Sequence, residues 1–565
     1  MLLTKWGKNL DKEHPLPEYP RPQFVRDSYI NLNGPWKCEF TKSAKLPTSF
    51  SYDIIVPFSP ETPLSGVNRV LSPEEYLHYE KHFDLPDGFN KGRVFINFGA
   101  VDQIATVYLN SVKIGVHKGG YTPFTMELTQ AIKDKDNVLN VTVKDYSDTK
   151  EYSRGKQKFN RGGIWYSPQS GIWQTVWLES TQNEFLQKVK ITPDCDKEEV
   201  RFEYFGTDNV LVKIYDGNDL IAQTKCTTVK IPDFKPWSPE SPFLYNVEFI
   251  ACGECIKSYF GMRKFSIMKD ENGTLRLALN NKPYIHNGLL DQGYYPDGFL
   301  TPPSNDAMKN DIETIKSMGF NMLRKHIKIE PMLWYHYCDV NGILVWQDMV
   351  NGGGKYGLEV SAIPFVGIKL RDSNYKMFKR TDAECRELYY KELTEMLENL
   401  YNCPCIAMWV PFNEGWGQFD SKKAYEFIKA YDSTRTVDST SGWHDNGTTD
   451  VISEHIYFTP IKAKKGNRPY VLSEFGGFSH RVKGHTFNDK MFGYKIYNSK
   501  ESLTKAYINC FNNTIIPQVK TTISATVYTQ VTDVEDELNG LMTYDREVIK
   551  IDPDKVKEVN ERMKI

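Results

Sequence analysis

The stretch W-V-P-F-N-E-G-W-G, residues 409–417, decides how this chain is read. Met408, Trp409 and Val410 form an apolar run with the make-up of a buried strand. The run breaks off in Asn413-Glu414, followed by Gly415, Trp416 and Gly417. A carboxylate at the tip of such a strand is pushed out of a core into a cleft. The pattern recurs sixty residues later, where Tyr470-Val471-Leu472-Ser473 ends in Glu474 before Phe475-Gly476-Gly477. Around both, helical and strand patterns alternate. Residues 305–318 (with Ser304 as N-cap), 331–341, 382–401 and 421–432 have helical spacing. Residues 321–324, 343–346, 406–410, 451–453, 470–473 and 523–528 read as strands. Repeated strand–helix units over residues 268–565 predict a (β/α)8 TIM barrel, whose active site gathers at the C-terminal ends of the strands. Both glutamates fall there.

Ahead of the barrel the rhythm is all-β. In residues 1–182, the segments 92–98, 105–109, 114–116, 138–143 and 175–179 are short strands between Gly/Asn/Pro turns, which predicts a jelly-roll sandwich. In residues 183–267, the segments 200–205, 210–215, 227–231 and 244–249 predict a smaller, immunoglobulin-like β-sandwich. Residues 232–242 carry four prolines around Trp237 and read as an ordered loop crossing between sheets.

The 565 residues are too many for one core, in keeping with this division. A net charge of −2 from 70 basic and 72 acidic residues gives no steering toward nucleic acid or an anionic membrane. No eighteen-residue apolar run marks a membrane span. The first residues hold Lys5, Lys8 and Lys12 but no apolar core of signal-peptide length, so a cytoplasmic enzyme is expected. The ten cysteines include Cys252-x-x-Cys255 and Cys403-x-Cys405, but no second pair stands at zinc spacing, and they read as structural thiols.

Two strand-end carboxylates suit a retaining glycosidase, in which one is a protonated acid and the other an ionised nucleophile. The chain resembles glycoside hydrolase family two, the group of β-galactosidases, β-glucuronidases and β-mannosidases. Residues 98–110 (F-G-A-V-D-Q-I-A-T-V-Y-L-N), 117–124 and 163–179 look like that family's sugar-binding-type jelly roll. P-W-S-P-E-S-P-F-L-Y (236–245) and F-G-M-R-K-F from Phe260 are similar to the end of its immunoglobulin-like domain. G-F-N-M-L-R-K-H (319–326) resembles barrel strand two, and N-E-G and S-E-F-G-G match the two catalytic motifs. The resemblance makes Glu414 the general acid/base and Glu474 the nucleophile. It makes Asn413 a donor to the sugar 2-hydroxyl and Tyr457 the tyrosine that keeps the nucleophile ionised, and it places Arg324, His326 and His455 in the pocket. Physically, Glu414 needs apolar or anionic surroundings to hold a proton, and Glu474 needs donors such as Tyr457 or Arg324 to stay charged.

Other residues are balanced between site and scaffold. Asp348 and Asp291 end apolar strands and are candidates to bind sugar hydroxyls or to cap loops. Trp346 packs or forms a sugar platform, and Tyr528 is a candidate to stack on the sugar. Glu454 competes as nucleophile but lacks the glycine-rich exit. The acidic run 533–537 reads as a solvated or loop-bracing face. The jelly roll is expected to be structural, lending at most a loop residue to the pocket edge. No cofactor and no metal cluster is expected, the partner is an oligosaccharide or glycoside, and a homo-oligomer is left open. The reading is an exo-acting retaining β-glycosidase. β-Galactosidase is favoured, with β-glucuronidase, β-mannosidase, α-L-arabinosidase and galactofuranosidase as alternatives and a non-catalytic carbohydrate-binding scaffold as the other class. β-Glucuronidases hold the sugar carboxylate with an Asn-x-Lys stretch, and none stands at the position expected for it after S-E-F-G, where Arg481 and Lys483 are the nearest cations.

Overall fold

The computed structural model describes residues 2–357, 359–360, 364 and 368–565. Two β-sandwiches lead into a parallel barrel. In the first sandwich, a six-stranded antiparallel sheet built on Gly34–Thr41, Tyr76–Phe83, Asn137–Lys144 and Ile104–Leu109 joins a four-stranded one holding Val176–Thr181 and Arg93–Phe98 in a shared core. Period-two alternation sends Ala105, Val107 and Leu109 inward. The second sandwich pairs three strands with four, and its core holds Val200, Phe202, Val212, Ile214 and Phe249. Trp237 does more than cross between sheets: its ring is fully buried in the barrel's core and its Nε1 donates to the Asp339 carbonyl at 2.8 Å.

The barrel strands are β1 (His286–Asp291), β2 (Met322–Lys325), β3 (Leu344–Asp348), β4 (Ile406–Val410), β5 (Thr436–Val437), β6 (Ile452–Ile456), β7 (Tyr470–Gly476) and β8 (Ile523–Thr529). All adjacent pairs are parallel, in the row β5-β4-β3-β2-β1-β8-β7-β6. Seven of them lack alternation because both faces are covered, as β4 shows with every residue buried. The two-residue β5 left no pattern to read. The row closes at its ends through the backbone and side chain of Asp450. Asp450 N donates to the Val437 carbonyl at 3.0 Å, and Val437 N donates to the Asp450 carboxylate at 2.8 Å.

Helices α1 (Asn305–Ser317), α2 (Met332–Asn341), α3 (Ala383–Leu400), α4 (Ser421–Tyr431), α5 (Lys500–Cys510) and α6 (Pro553–Asn560) follow β1, β2, β3, β4, β7 and β8. The starts of α1 and α3 follow from capping: Ser304 accepts from Ala307 N, and Asp382 from Cys385 N. Among the described residues no helix follows β5 or β6, which leaves that side of the mouth to loops. The barrel core also takes in Tyr121, Tyr166 and Trp173 of the first sandwich.

Candidate active site

Arg324, fully buried on β2, organises the floor of the site. Its Nε and Nη2 donate to the two Asp348 oxygens at 3.0 and 3.1 Å, Nη2 also to Asn413 Oδ1 at 2.7 Å, and Nη1 to Glu474 Oε1 at 3.1 Å. One guanidinium thus ties the ends of β3, β4 and β7 together. The Tyr457 hydroxyl donates to Glu474 Oε2 at 2.6 Å. Burial pushes the Glu474 carboxyl up, but His455 and Arg324, with the Tyr457 hydrogen bond, bring it down to about 2. Burial and the neighbouring Glu474 hold the Tyr457 phenol well above its ordinary value, so it stays a donor.

Glu414 stands just past β4 with φ +50°, a left-handed conformation that costs a non-glycine residue energy and is held by its surroundings. Its N–H donates to the Ser441 carbonyl at 3.0 Å. Gly417 must be glycine, since a Cβ there would lie 2.4 Å from the Gly352 carbonyl oxygen. His455 Nδ1 lies 2.7 Å from Glu414 Oε1 and 3.7 Å from Glu474 Oε2. Ser441 Oγ (3.2 Å) and Arg324 Nη1 (3.3 Å) flank the other nitrogen, which gives the tautomer that donates from Nδ1 to Glu414. One oxygen of each glutamate and one His455 nitrogen all lie within 4.8 Å of one another. This is the one trio of potential metal ligands among the described residues, and Arg324 already supplies a cation beside it.

Glu414, Glu474, Asn413, Arg324, His326, His455, Tyr457 and Asp348 therefore come together. Asn413 Nδ2 is buried without a hydrogen-bond partner among the described residues, a donor left free beside the pair. Asp348 sits beneath, both oxygens taken by Arg324, with His326 Nδ1 at 2.9 Å and Ile327 N at 3.3 Å, so it orients neighbours. Burial keeps the His326 imidazole well below its usual range and neutral. Two expected residues lie elsewhere. Asp291 is one register step beyond the Arg324 row and faces out of the barrel, where it binds Lys325 at 2.6 Å. Tyr528 is fully buried between β8 and α5 against Phe475, Tyr507 and Phe511, so it cannot stack on a sugar. The inward residue is its neighbour Thr529, whose Oγ1 is 3.0 Å from the Tyr457 hydroxyl. Trp346 is packing, its Nε1 donating to His286 Nδ1 at 3.0 Å, and Glu454 is turned to the Tyr470 hydroxyl. Arg481 and Lys483 are exposed, with Arg481 bonded to the Asp489 carbonyl.

Aromatic residues gather at the mouth, and of these Tyr494 lies outside every motif. Tyr494 stacks on Tyr457 with centroids 3.9 Å apart. Trp416 packs against Trp165 (5.1 Å), Tyr356 (6.3 Å) and His326 (6.2 Å). Trp165 comes from the first sandwich, on a loop held by the run expected to be solvated or bracing. That run is buried and bracing: Arg161 reaches Glu535 at 3.0 Å and Asp536 at 3.1 Å, and the Tyr166 hydroxyl donates to Glu537 at 2.5 Å.

A parallel barrel with a carboxylate pair at its strand ends, one member held ionised, defines the class of the glycoside hydrolases. Residues 276–565 match the family model "Glycosyl hydrolases family 2, TIM barrel domain", residues 176–263 "Glycosyl hydrolases family 2", and residues 43–189 "Glycosyl hydrolase 2 galactose-binding domain-like". The chain belongs to glycosyl hydrolase family 2. It is 23% identical over 441 residues to a β-galactosidase of Thermoanaerobacter pseudethanolicus, covering 72% of this chain and 54% of that protein. It is 24% identical over 464 residues to a β-galactosidase large subunit of Lactobacillus acidophilus, covering 77% and 68%. The chain thus spans little more than half of the first relative. In fold it is similar to a β-glucuronidase of an uncultured Clostridium species (TM-score 0.74, 18% identity, 97% and 99% covered). It is likewise similar to a β-galacturonidase of Eisenbergiella tayi (TM-score 0.69, 18% identity, 96% and 99% covered). Among the described residues no helix is long and apolar enough to cross a membrane.

Proposed function

We propose that the protein is a retaining exo-β-glycosidase. The observation that carries this reading is the carboxylate pair itself, with an oxygen of Glu414 within 4.8 Å of one of Glu474. Retaining enzymes keep their carboxyls about 5–5.5 Å apart, and inverting ones leave room for a water between them. In the first step Glu474, ionised by Arg324 and Tyr457, attacks the anomeric carbon while protonated Glu414 gives its proton to the leaving oxygen. In the second, Glu414 takes a proton from water, which attacks the same carbon and frees Glu474. The free Asn413 Nδ2 is placed to donate to the 2-hydroxyl, a bond that tightens as charge develops on the ring. The pair is nearly closed off, with side-chain exposures of 10% and 6%, which suits entry by the end of a chain.

β-Galactosidase, the sugar favoured by the sequence, is supported by the names of the sequence relatives. A β-uronidase is supported by the names of the structural neighbours and by one observation of the site, the buried cations of the Trp165 loop. The reaction is tested with Glu474→Ala, which should abolish hydrolysis of nitrophenyl β-glycosides and regain turnover with azide, giving a glycosyl azide of inverted configuration. Near-normal activity in that variant removes Glu474 as nucleophile.

A further inference from the structure

The loop that carries Trp165 also holds Arg154, Lys156 and Lys158 at alternate positions. Lys158 N donates to the Tyr166 carbonyl and Tyr166 N to the Lys156 carbonyl, both at 3.0 Å, so this segment is extended. Gln157 turns back into the first sandwich, where it accepts from the Tyr121 hydroxyl at 3.0 Å, and the flanking lysines face the other way. Arg154 and Lys156 are only 3% and 4% exposed. Buried cations are costly unless paired, yet these are poorly paired. Arg154 donates to the Gly353 carbonyl and lies 5.9 Å from the centre of the Tyr356 ring, while its Nε and Nη1 have no hydrogen-bond partner among the described residues. The carboxylate of Lys156 is Glu537 at 3.7 Å, already taken by the Tyr166 hydroxyl and by Asn539 Nδ2 at 3.2 Å. Lys158 has no ion pair among the described residues and lies 3.4 Å from the centre of the Trp165 ring. Burial and the neighbouring Arg154 push its ammonium down to about 8, a sign of cations crowded together.

The position matters as much as the charge. Trp165 leans on Trp416, which leans on His326, and the Lys156 charge helps to depress the His326 imidazole. The cations therefore lie at the wall of the pocket that holds two carboxyls, which would otherwise repel an anionic sugar. We propose that Arg154, Lys156 and Lys158 form an anion subsite, lent to the barrel by the first sandwich, that binds a carboxylate or sulfate substituent of the substrate. This rests on the glycosidase reading and names its substrate class as acidic β-glycosides. The chemistry is shared by a uronic acid and a sulfated sugar, since both present oxygens that accept from ammonium and guanidinium groups.

The test compares kcat/KM for nitrophenyl β-galactoside, β-galacturonide, β-glucuronide and 6-sulfated β-galactoside. An acidic substrate should lead the neutral one by about tenfold or more, the size expected of charge-assisted hydrogen bonds. A uronide in the lead identifies a carboxylate, the sulfated sugar a sulfate. Lys156→Met and the half-buried Lys158→Met should each lower the acidic-to-neutral ratio by about tenfold, chiefly through KM, and Lys156→Arg should keep most of it. If Lys156→Met does not fold, Lys158→Met reads the same ratio. A neutral substrate in the lead, or a ratio that neither variant moves, overturns the subsite and leaves the glycosidase standing. Should no glycoside be hydrolysed, the glycosidase reading fails, and calorimetric titration with glucuronate and with galactose still reads the loop. Preference for the acid supports the subsite, and equal or no binding of the two overturns it.

Discussion

Arg324 has no donor left over, and that explains why its neighbours behave as they do. Because it grips Asp348, Asn413 and Glu474 together, Asn413 must point its Oδ1 inward and leaves Nδ2 for the substrate. Asn413→Ala should therefore lower kcat/KM markedly on the natural glycoside and little on its 2-deoxy analogue. Equal losses on both would remove the 2-hydroxyl role. Tyr457→Phe takes a donor from the ionised nucleophile. The Glu474 carboxyl, held at about 2 in the native site, should rise. The acid limb of kcat/KM should then move to higher pH and kcat fall on the order of 10²-fold, as loss of one preorganised donor does. An unmoved acid limb would show that Tyr457 does not tune Glu474. At this scale the motif residues were legible, because a catalytic carboxylate needs a particular local context, an apolar strand and a glycine-rich exit, which the chain displays at Glu414 and Glu474. Tyr528 was misread because a strand end offers two faces, and only the pleat says that Thr529 is the inward one.

At the scale of elements, β5 and β6 are the two barrel strands not joined by a ladder, and Asp450 links them with its backbone N–H and its side chain. Asp450 accepts from Val437 N at 2.8 Å and from the Tyr425 hydroxyl at 2.7 Å. Asp450→Ala leaves both donors without that acceptor and should destabilise the protein by about 1–3 kcal/mol, with Asp450→Asn milder. Urea unfolding checks this, and an unchanged midpoint for the alanine variant would show the seam to be held by other contacts. The seam bears on the site because Ser441, just after β5, holds the Glu414 N–H, and β6 carries His455. Long elements were readable from periodicity, as α1 and α3 show, and α1 from its cap Ser304 as well. The two-residue β5 was not, since it has too few residues to express a period.

At the scale of the whole molecule, the first sandwich docks on the barrel through carboxyls as well as aromatics. Asp102, Asp145 and Glu61 of the sandwich lie close enough to Glu392 of α3 to act together on Asp102, which burial and these neighbours raise well above its ordinary value. Burial pushes Glu61 up to about 8 and Asp145 and Glu392 up to about 7. Gly119 and Gly120 make room, for a Cβ at each would meet Glu392 at 2.8 Å or Asp102 at 2.3 Å. These groups hold protons in the folded chain that the unfolded chain gives up near pH 4. Their contribution to stability is therefore whole below that pH and is lost as pH rises through the folded values near 7 and 8. Tm should fall between about pH 5 and about pH 8, and Asp102→Asn with Glu392→Gln should flatten the fall. A Tm difference between wild type and the double variant that stays constant across that window would show the carboxyls to be ionised in place, since buried histidines such as His286 and His326 contribute an opposite slope to both proteins. The sequence by itself determined the strand–helix alternation of the barrel and the two strand-end glutamates, because period and motif are local properties of the chain. Only the tertiary structure decided that Arg324 binds three strand ends at once, and that Trp165 with Arg154, Lys156 and Lys158 reaches the barrel mouth from another domain. Those contacts join residues of different strands and domains, up to 150 positions apart at Arg324, and their geometry comes from packing, which no local pattern encodes.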